Sequence, residues 1–310
     1  MSEAFGWGSE FLAALVRPLR TRRACVTACL VCLACALLVT PAAALPPQGV
    51  YESCSPGRTE SALRTCTARL REIRAGGFRV VLNYAGLYGT PSRVRGYARA
   101  ASELGIRLIW PLHNPVLWRT KDLRPTYRNM AAACRCSSAK RLVPFMVRFV
   151  KDFRATWMYY VGDEVDAAEH DRMKAVSTLV RAADREHRRF FVHFGSGPNL
   201  TPCVDAAEVL GIDHYPLFAD HGGAEEVATA AQGTQRVARQ AGKPMAMVLQ
   251  AFSWGPRFKP LAERWPTVSE YRTMRDAART NSHPRVILWW AYYVIKREAN
   301  AALHWLKPRS

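Results

Sequence analysis

The stretch Met158-Tyr159-Tyr160-Val161-Gly162-Asp163-Glu164-Val165 decides how the rest of the chain reads. Four apolar or aromatic residues in a row describe a strand buried on both faces, and Gly162 ends it. Two adjacent carboxylates follow at once. Unpaired carboxylates are costly against a packed core, so this strand delivers Asp163 and Glu164 to a solvated rim or pocket. A closed barrel of parallel strands keeps its chemistry on such a rim. A competing reading makes Asp163 the cap of the following helix and Glu164 its first-turn acid.

The same unit repeats on either side. Gly49–Tyr51, Arg79–Tyr84, Arg107–Leu112, Met158–Val161, Phe190–Phe194, Val209–Tyr215, Pro244–Phe252 and Val286–Tyr293 read as eight strands. Helices are expected at Ser61–Ala75, Ser92–Leu104, Ser138–Phe153, Ala167–His187, Ala224–Ala241, Val268–Asn281 and Arg297–Leu306. A long loop is expected between the third strand and its helix, and a loop replaces the helix after the fifth. Continuous apolar strands separated by helices form a parallel sheet covered on its faces. Eight units in about 260 residues fit one (β/α)8 TIM barrel of the α/β class. An open doubly wound sheet is disfavoured, because no Gly-rich phosphate loop follows the first strand.

The N-terminus reads as an export signal. Arg17, Arg20, Arg22 and Arg23 precede the uncharged stretch Ala24–Val39, and Thr40-Pro41-Ala42-Ala43-Ala44 supplies an A-x-A site. Cleavage after Ala44 leaves 1–44 as the signal peptide and 45–310 as the barrel domain. The stretch is short for a membrane span. The expectation is a secreted protein with no stable membrane insertion after cleavage; a tether formed by an uncleaved N-terminal anchor is the alternative.

Forty-four basic residues against 25 acidic give a net charge of +19. The arginines are scattered over nearly every predicted helix, and no nucleic-acid-binding motif accompanies them. That excludes a specific nucleic-acid partner and favours electrostatic association with anionic cell-wall polymers. Beyond the signal the chain keeps Cys54, Cys66, Cys134, Cys136 and Cys203. In an exported protein these make up to two disulfides with one thiol over. Cys54 with Cys66 is the preferred pair, and Cys134 or Cys136 is expected to join Cys203. Cys134-x-Cys136 with no neighbouring His motif is weak support for a metal site, and no H-x-H or H-E-x-x-H spacing adds to it. No cofactor motif is present.

Functional residues of such barrels cluster where strands end. The ends carry Glu52; Asn83 and Tyr84; His113 and Asn114; Asp163 and Glu164; His193 and Ser196; Asp213, His214 and Tyr215; Gln250 and Trp254; and Trp290, Tyr292 and Tyr293. Aromatic faces stack on sugar C–H surfaces, while amides and acids bridge hydroxyls, so the expected ligand is a carbohydrate. Glu164, Asp163 and Asp213 are the catalytic candidates. Asn83, Tyr84, His113, His214, Tyr215, Gln250, Trp254, Trp290 and Tyr292 are the substrate-binding ones. Trp110 and Trp289 read as packing residues.

With these residues the chain resembles the clan A glycoside hydrolases. The resemblance implies a proton-donating Glu at the end of the fourth strand, which Glu164 matches, with Asp163 where Asn is usual. Asp213-His214-Tyr215 loosely matches the sixth-strand motif, and Trp289-Trp290 the eighth-strand Trp. At the seventh strand the resemblance implies a nucleophilic Glu, and Gln250 stands there instead. An amide cannot form the covalent glycosyl ester. Three explanations stay open. The enzyme inverts, with Asp213 (or else Glu52 or Glu263) activating water across roughly 6.5–9.5 Å from Glu164. A substrate acetamido group is the nucleophile, oriented by Asp163. Or the barrel binds glycans without cutting them.

Overall fold

A computed structural model describes residues 45–114, 124–194, 197–218, 220–253 and 264–291. Its strands are β1 Gln48–Glu52, β2 Val80–Asn83, β3 Arg107–Pro111, β4 Thr156–Gly162, β5 Arg188–Phe194, β6 Val209–His214, β7 Met245–Gln250 and β8 Ile287–Trp290. They pair in chain order as a closed, all-parallel barrel, β8 returning to β1. The described α-helices are α1 Glu60–Ala75, α2 Pro91–Glu103, α3 Arg124–Cys134, α4 Ala139–Val150, α5 His170–Ala183, α6 Glu226–Gln240 and α7 Val268–Ser282. The described barrel residues fall within one compact unit that begins at Pro46. The export signal and the helix expected at Arg297–Leu306 lie outside the described residues. No described helix is long and apolar enough to cross a membrane.

Strand alternation sorts the core into two shells. Tyr51, Val80, Leu82, Ile109, Met158, Tyr160, Phe190, Val192, Val248 and Leu288 fill the barrel. Val50, Val81, Leu108, Trp110, Tyr159, Val161, Phe191, Ile212, Met247 and Trp289 face the helices. The two tryptophans of that outer shell pack as expected. Trp110 Nε1 donates to Thr156 Oγ1 at 2.8 Å, and Trp289 Nε1 to Gln48 Oε1 at 3.0 Å. The unit after β5 is a single 3-10 segment, Gly197–Cys203, in place of a long helix. The third unit differs from its expected loop: α3 forms there because Tyr127, Met130 and Ala131 give it a buried face.

Cys54 and Cys66 are joined, with Cα atoms 5.5 Å apart. This bond ties the loop after β1 to α1. The expectation for Cys203 is corrected: Cys134 pairs with Cys136, and Cys203 is a buried free thiol. Arg135, between the paired cysteines, takes a φ of 52°. This left-handed turn brings the flanking Cα atoms to 5.2 Å. Removing the first bridge as Cys54→Ala/Cys66→Ala is expected to cost about 3 kcal/mol, since it releases a short loop in the unfolded chain. Urea unfolding would read this as a lower midpoint; an unchanged midpoint would contradict it.

Candidate active site at the barrel mouth

The chain leaves β4 through a device that aims two carboxyl groups. The β4–β5 register shifts between Tyr160 and Gly162, a bulge that bends the strand end. A Cβ at Gly162 would lie 2.3 Å from Met173 Sδ and 2.6 Å from Val165 Cγ2, so only glycine lets α5 pack this close. Glu164 then takes a φ of 48°. A non-glycine residue in this region is uncommon and marks a constrained site. Val165 N–H donates to Val192 O at 3.1 Å, so the segment crosses the end of β5 and carries Glu164 to β6. Asp166 caps the short 3-10 turn Ala167–Glu169 that leads into α5, its side chain accepting from Ala168 N and Glu169 N. Asp163 and Glu164 are therefore released from capping.

Asp163 Oδ1 accepts from the hydroxyls of Tyr160 at 2.5 Å and Tyr84 at 3.3 Å. Tyr51 donates to Tyr160 Oη at 3.3 Å. Glu164 and Asp213 are close carboxyl neighbours, each acting on the other's titration. Burial first, then the charge of Asp163, raises the Glu164 pKa above the usual carboxylate range, while the bond from Asp213 opposes this. Asp213 is 2% exposed. Burial pushes its carboxyl well upward, and the charges of Glu164 and Asp163 add to that. Its Oδ1 is buried with no hydrogen-bond partner among the described residues.

Aromatic rings surround the three carboxyls. Tyr51 and Tyr84 have ring centroids 5.3 Å apart, and His113 lies 4.7 Å from Tyr84 and 5.0 Å from Tyr160. Tyr215 meets Phe252 at 5.0 Å and Trp290 at 6.3 Å, while Phe252 and Trp290 meet at 4.7 Å. Burial lowers the His113 pKa, against the opposing pull of Asp163, which favours the neutral imidazole. Tyr84, His113, Asp163, Glu164, Asp213, Tyr215 and Trp290 are thus brought to one mouth. Tyr51, Tyr160 and Phe252 join them without having been singled out from the sequence. Alternation within β4, which puts Met158 and Tyr160 on one inner face, is the signal that could have found Tyr160.

Other candidates face elsewhere. Asn83, 2% exposed, donates to Cys54 O at 2.8 Å and Tyr97 Oη at 3.0 Å, joining the loop after β1 to α2. His214 follows outer-shell Ile212 by two residues and so points toward the helices, where Glu226 acts on it. Glu52 is bound by Arg69 at 2.7 Å. Gln250 is completely buried. Its Oε1 accepts from Leu217 N–H at 2.9 Å, and its Nε2 donates to Leu217 O and Arg264 O, both at 3.1 Å, and to Phe252 O at 3.4 Å. It clasps the loops after β6 and β7. Trp254, Tyr292, Tyr293, Ser196, Glu263 and the His193 side chain lie outside the described residues. Among the described residues no group of three or more His, Cys, Asp or Glu is arranged to hold a metal ion.

The Glu164–Asp213 contact also bears on pH. A carboxyl whose folded pKa is raised contributes stability below the ordinary carboxylate range and loses it as pH climbs through the raised value. Asp213→Asn removes that titration. Its stability relative to wild type is expected to climb as pH rises from the ordinary carboxylate range upward. Urea unfolding at a series of pH values checks this, and parallel pH curves for the two proteins would refute it.

No protein-family model and no curated protein matches the chain. Solved structures do share its fold. A protein from Bacteroides thetaiotaomicron assigned as an alpha-L-fucosidase is 12% identical with a TM-score of 0.59, over 88% of this chain and 97% of that one. A GH2 beta-galacturonidase from Eisenbergiella tayi is 14% identical with a TM-score of 0.54, over 80% of this chain and 44% of its own. A glycoside hydrolase family 5 protein from Bacteroides vulgatus is 11% identical with a TM-score of 0.54, over 81% of this chain and 59% of its own. The chain therefore has the (β/α)8 barrel that these glycoside hydrolases use.

Proposed function

We propose that the protein is an exported glycoside hydrolase acting on a polysaccharide or oligosaccharide, with Glu164 as general acid/base. The observation that carries this is the close Glu164–Asp213 carboxyl pair beside Asp163, inside a ring of aromatic side chains. The raised pKa of Glu164 keeps a proton available for the glycosidic oxygen. Asp213, whose own carboxyl is pushed well upward, is the positioning residue that donates toward Glu164. Carboxyls that act on each other this directly leave little room for the water an inverting pair holds between them. Asp163, fixed by Tyr160 and Tyr84, then has the remaining role.

That role is to orient a 2-acetamido group of the substrate by accepting from its N–H. The acetamido carbonyl oxygen attacks the anomeric carbon as Glu164 gives its proton to the leaving oxygen and the glycosidic bond breaks. Water adds next at the anomeric carbon, returning a proton to Glu164 and reopening the ring formed by the acetamido group. Neutral His113, Tyr215 and Trp290 line the sugar's faces. Because the acid must be protonated, turnover is expected to fall as pH rises through the raised pKa of the pair; a flat alkaline limb would contradict this.

Release of reducing ends from glycans with and without 2-acetamido sugars tests the reading, wild type against Glu164→Gln. Release from 2-acetamido polymers by the wild type alone supports it. The second reading, a glycan-binding barrel without catalysis, is favoured by Gln250 and gains if both proteins bind glycan and neither cuts. Export rests on the segment before Ala44 and agrees with the two disulfides. N-terminal sequencing of protein recovered from the medium tests it.

A further inference from the structure

A second concavity lies at the same end of the barrel, beyond the ends of β1, β2 and β3. It has a volume of about 370 Å³ and is lined by Ser55, Arg58, Tyr88, Asn114, Arg128 and Asn129, among others. Its wall is built by hydrogen bonds. Asn129 accepts from Arg58 Nε at 2.7 Å and donates to Tyr88 O at 2.6 Å; Asn114 Nδ2 donates to Tyr88 Oη at 3.0 Å. Tyr88 is backed by the buried Tyr127 ring at 5.4 Å. Arg58 lines the cavity with its Nε tied to Asn129, which holds its guanidinium in place. Neither Arg58 nor Arg128 has a carboxylate partner among the described residues, and the next acid along the chain, Glu60, is bound to Arg93.

We propose that this cavity is a subsite for a uronate-type sugar unit, so that the glycan handled at the barrel mouth carries carboxylates. This rests on the reading of the mouth as a glycan site but needs no hydrolysis. A guanidinium fork matches a carboxylate with two parallel hydrogen bonds. Two such forks beside a tyrosine face and two amides offer what an acidic sugar presents: one charge, one apolar face and several hydroxyls. The residues lie directly beyond the mouth. Tyr88 is four residues past Tyr84, and Asn114 follows His113. A chain spanning both would set an acidic unit in the cavity and a 2-acetamido unit among the carboxyls.

Calorimetric titration in the Glu164→Gln background, where turnover is expected to be strongly reduced, tests the proposal with a hyaluronan hexasaccharide and its carboxyl-reduced form. The charged probe is expected to bind at least tenfold tighter. Arg58→Gln/Arg128→Gln should erase that preference, while Arg71→Gln/Arg272→Gln, removing two exposed charges on α1 and α7, should keep it. If the double variant does not fold, Arg128→Gln alone decides, since Arg128 bonds nothing among the described residues. Equal affinity for the two probes, or equal loss in the control pair, overturns the subsite. An Arg-dependent preference without hydrolysis by the wild type would keep the subsite and sink the hydrolase. Hydrolysis indifferent to both arginines would do the reverse.

Discussion

Replacing Glu164 with Gln is expected to lower kcat by about 10²–10⁴-fold, the usual contribution of a positioned general acid. KM should move little, because the amide keeps the shape of the side chain and loses only the transferable proton. The geometry makes this a sharp test. Glu164 and Asp213 are neighbouring carboxyls whose pKa values are both raised, which suits either to give up a proton near neutral pH. Glu164 reaches the rim from a turn at φ 48°, whereas Asp213 lies within β6 and is 2% exposed. The better-exposed partner is the one that meets a substrate oxygen. Steady-state kinetics with a direct binding measurement decide it. Full turnover in Glu164→Gln would move the proton donor elsewhere and overturn the assignment.

Restoring the missing acid, as Gln250→Glu, is expected to damage the fold and to create no double-displacement enzyme. The Gln250 amide donates to three backbone carbonyls and accepts from one backbone N–H. A carboxylate there would face those carbonyl oxygens with no donor to offer. An uncompensated buried charge of this kind costs on the order of 3–5 kcal/mol. In a domain of this size that corresponds to a fall of about 6–10 °C in Tm. Thermal unfolding and a search for glycosyl-enzyme ester by mass spectrometry check both halves. A stable variant that accumulates the ester would show that Gln250 blocks an otherwise complete retaining site.

The two substitutions separate what Gln250 does from what it replaces. Read along the chain, Gln250 is an acid lost from a known position. In the folded protein it is a clasp holding Leu217 and Arg264 against the end of β7. An amide fits that task and a carboxylate does not. The same contrast applies to Asn83, a strand-end amide that binds Cys54 O and Tyr97, and to His214, which alternation turns toward the helices. A strand end names the residues near a rim. Which of them face inward depends on register, and bulges such as the one at Tyr160 and Gly162 change it locally.

The disulfides make the same point from another side. Cys54 and Cys66 flank a turn and a helix start, a short-range arrangement that sequence separation exposes. Cys134 and Cys136 pair across a left-handed Arg135, a backbone conformation that no residue type announces.

By itself the sequence determined the barrel, because the fold class follows from the period of apolar runs and helical stretches, and each run carries its own signal. It also determined that Asp163, Glu164 and Asp213 come to one end, since all three close strands of a parallel barrel. Only the tertiary structure decided that Glu164 reaches across β5 to touch Asp213. The same holds for the three tyrosines that gather beside Asp163 and for Gln250 spending its amide on backbone. Those facts depend on a bulge, a positive φ and contacts between residues far apart in the chain, which short-range patterning does not encode.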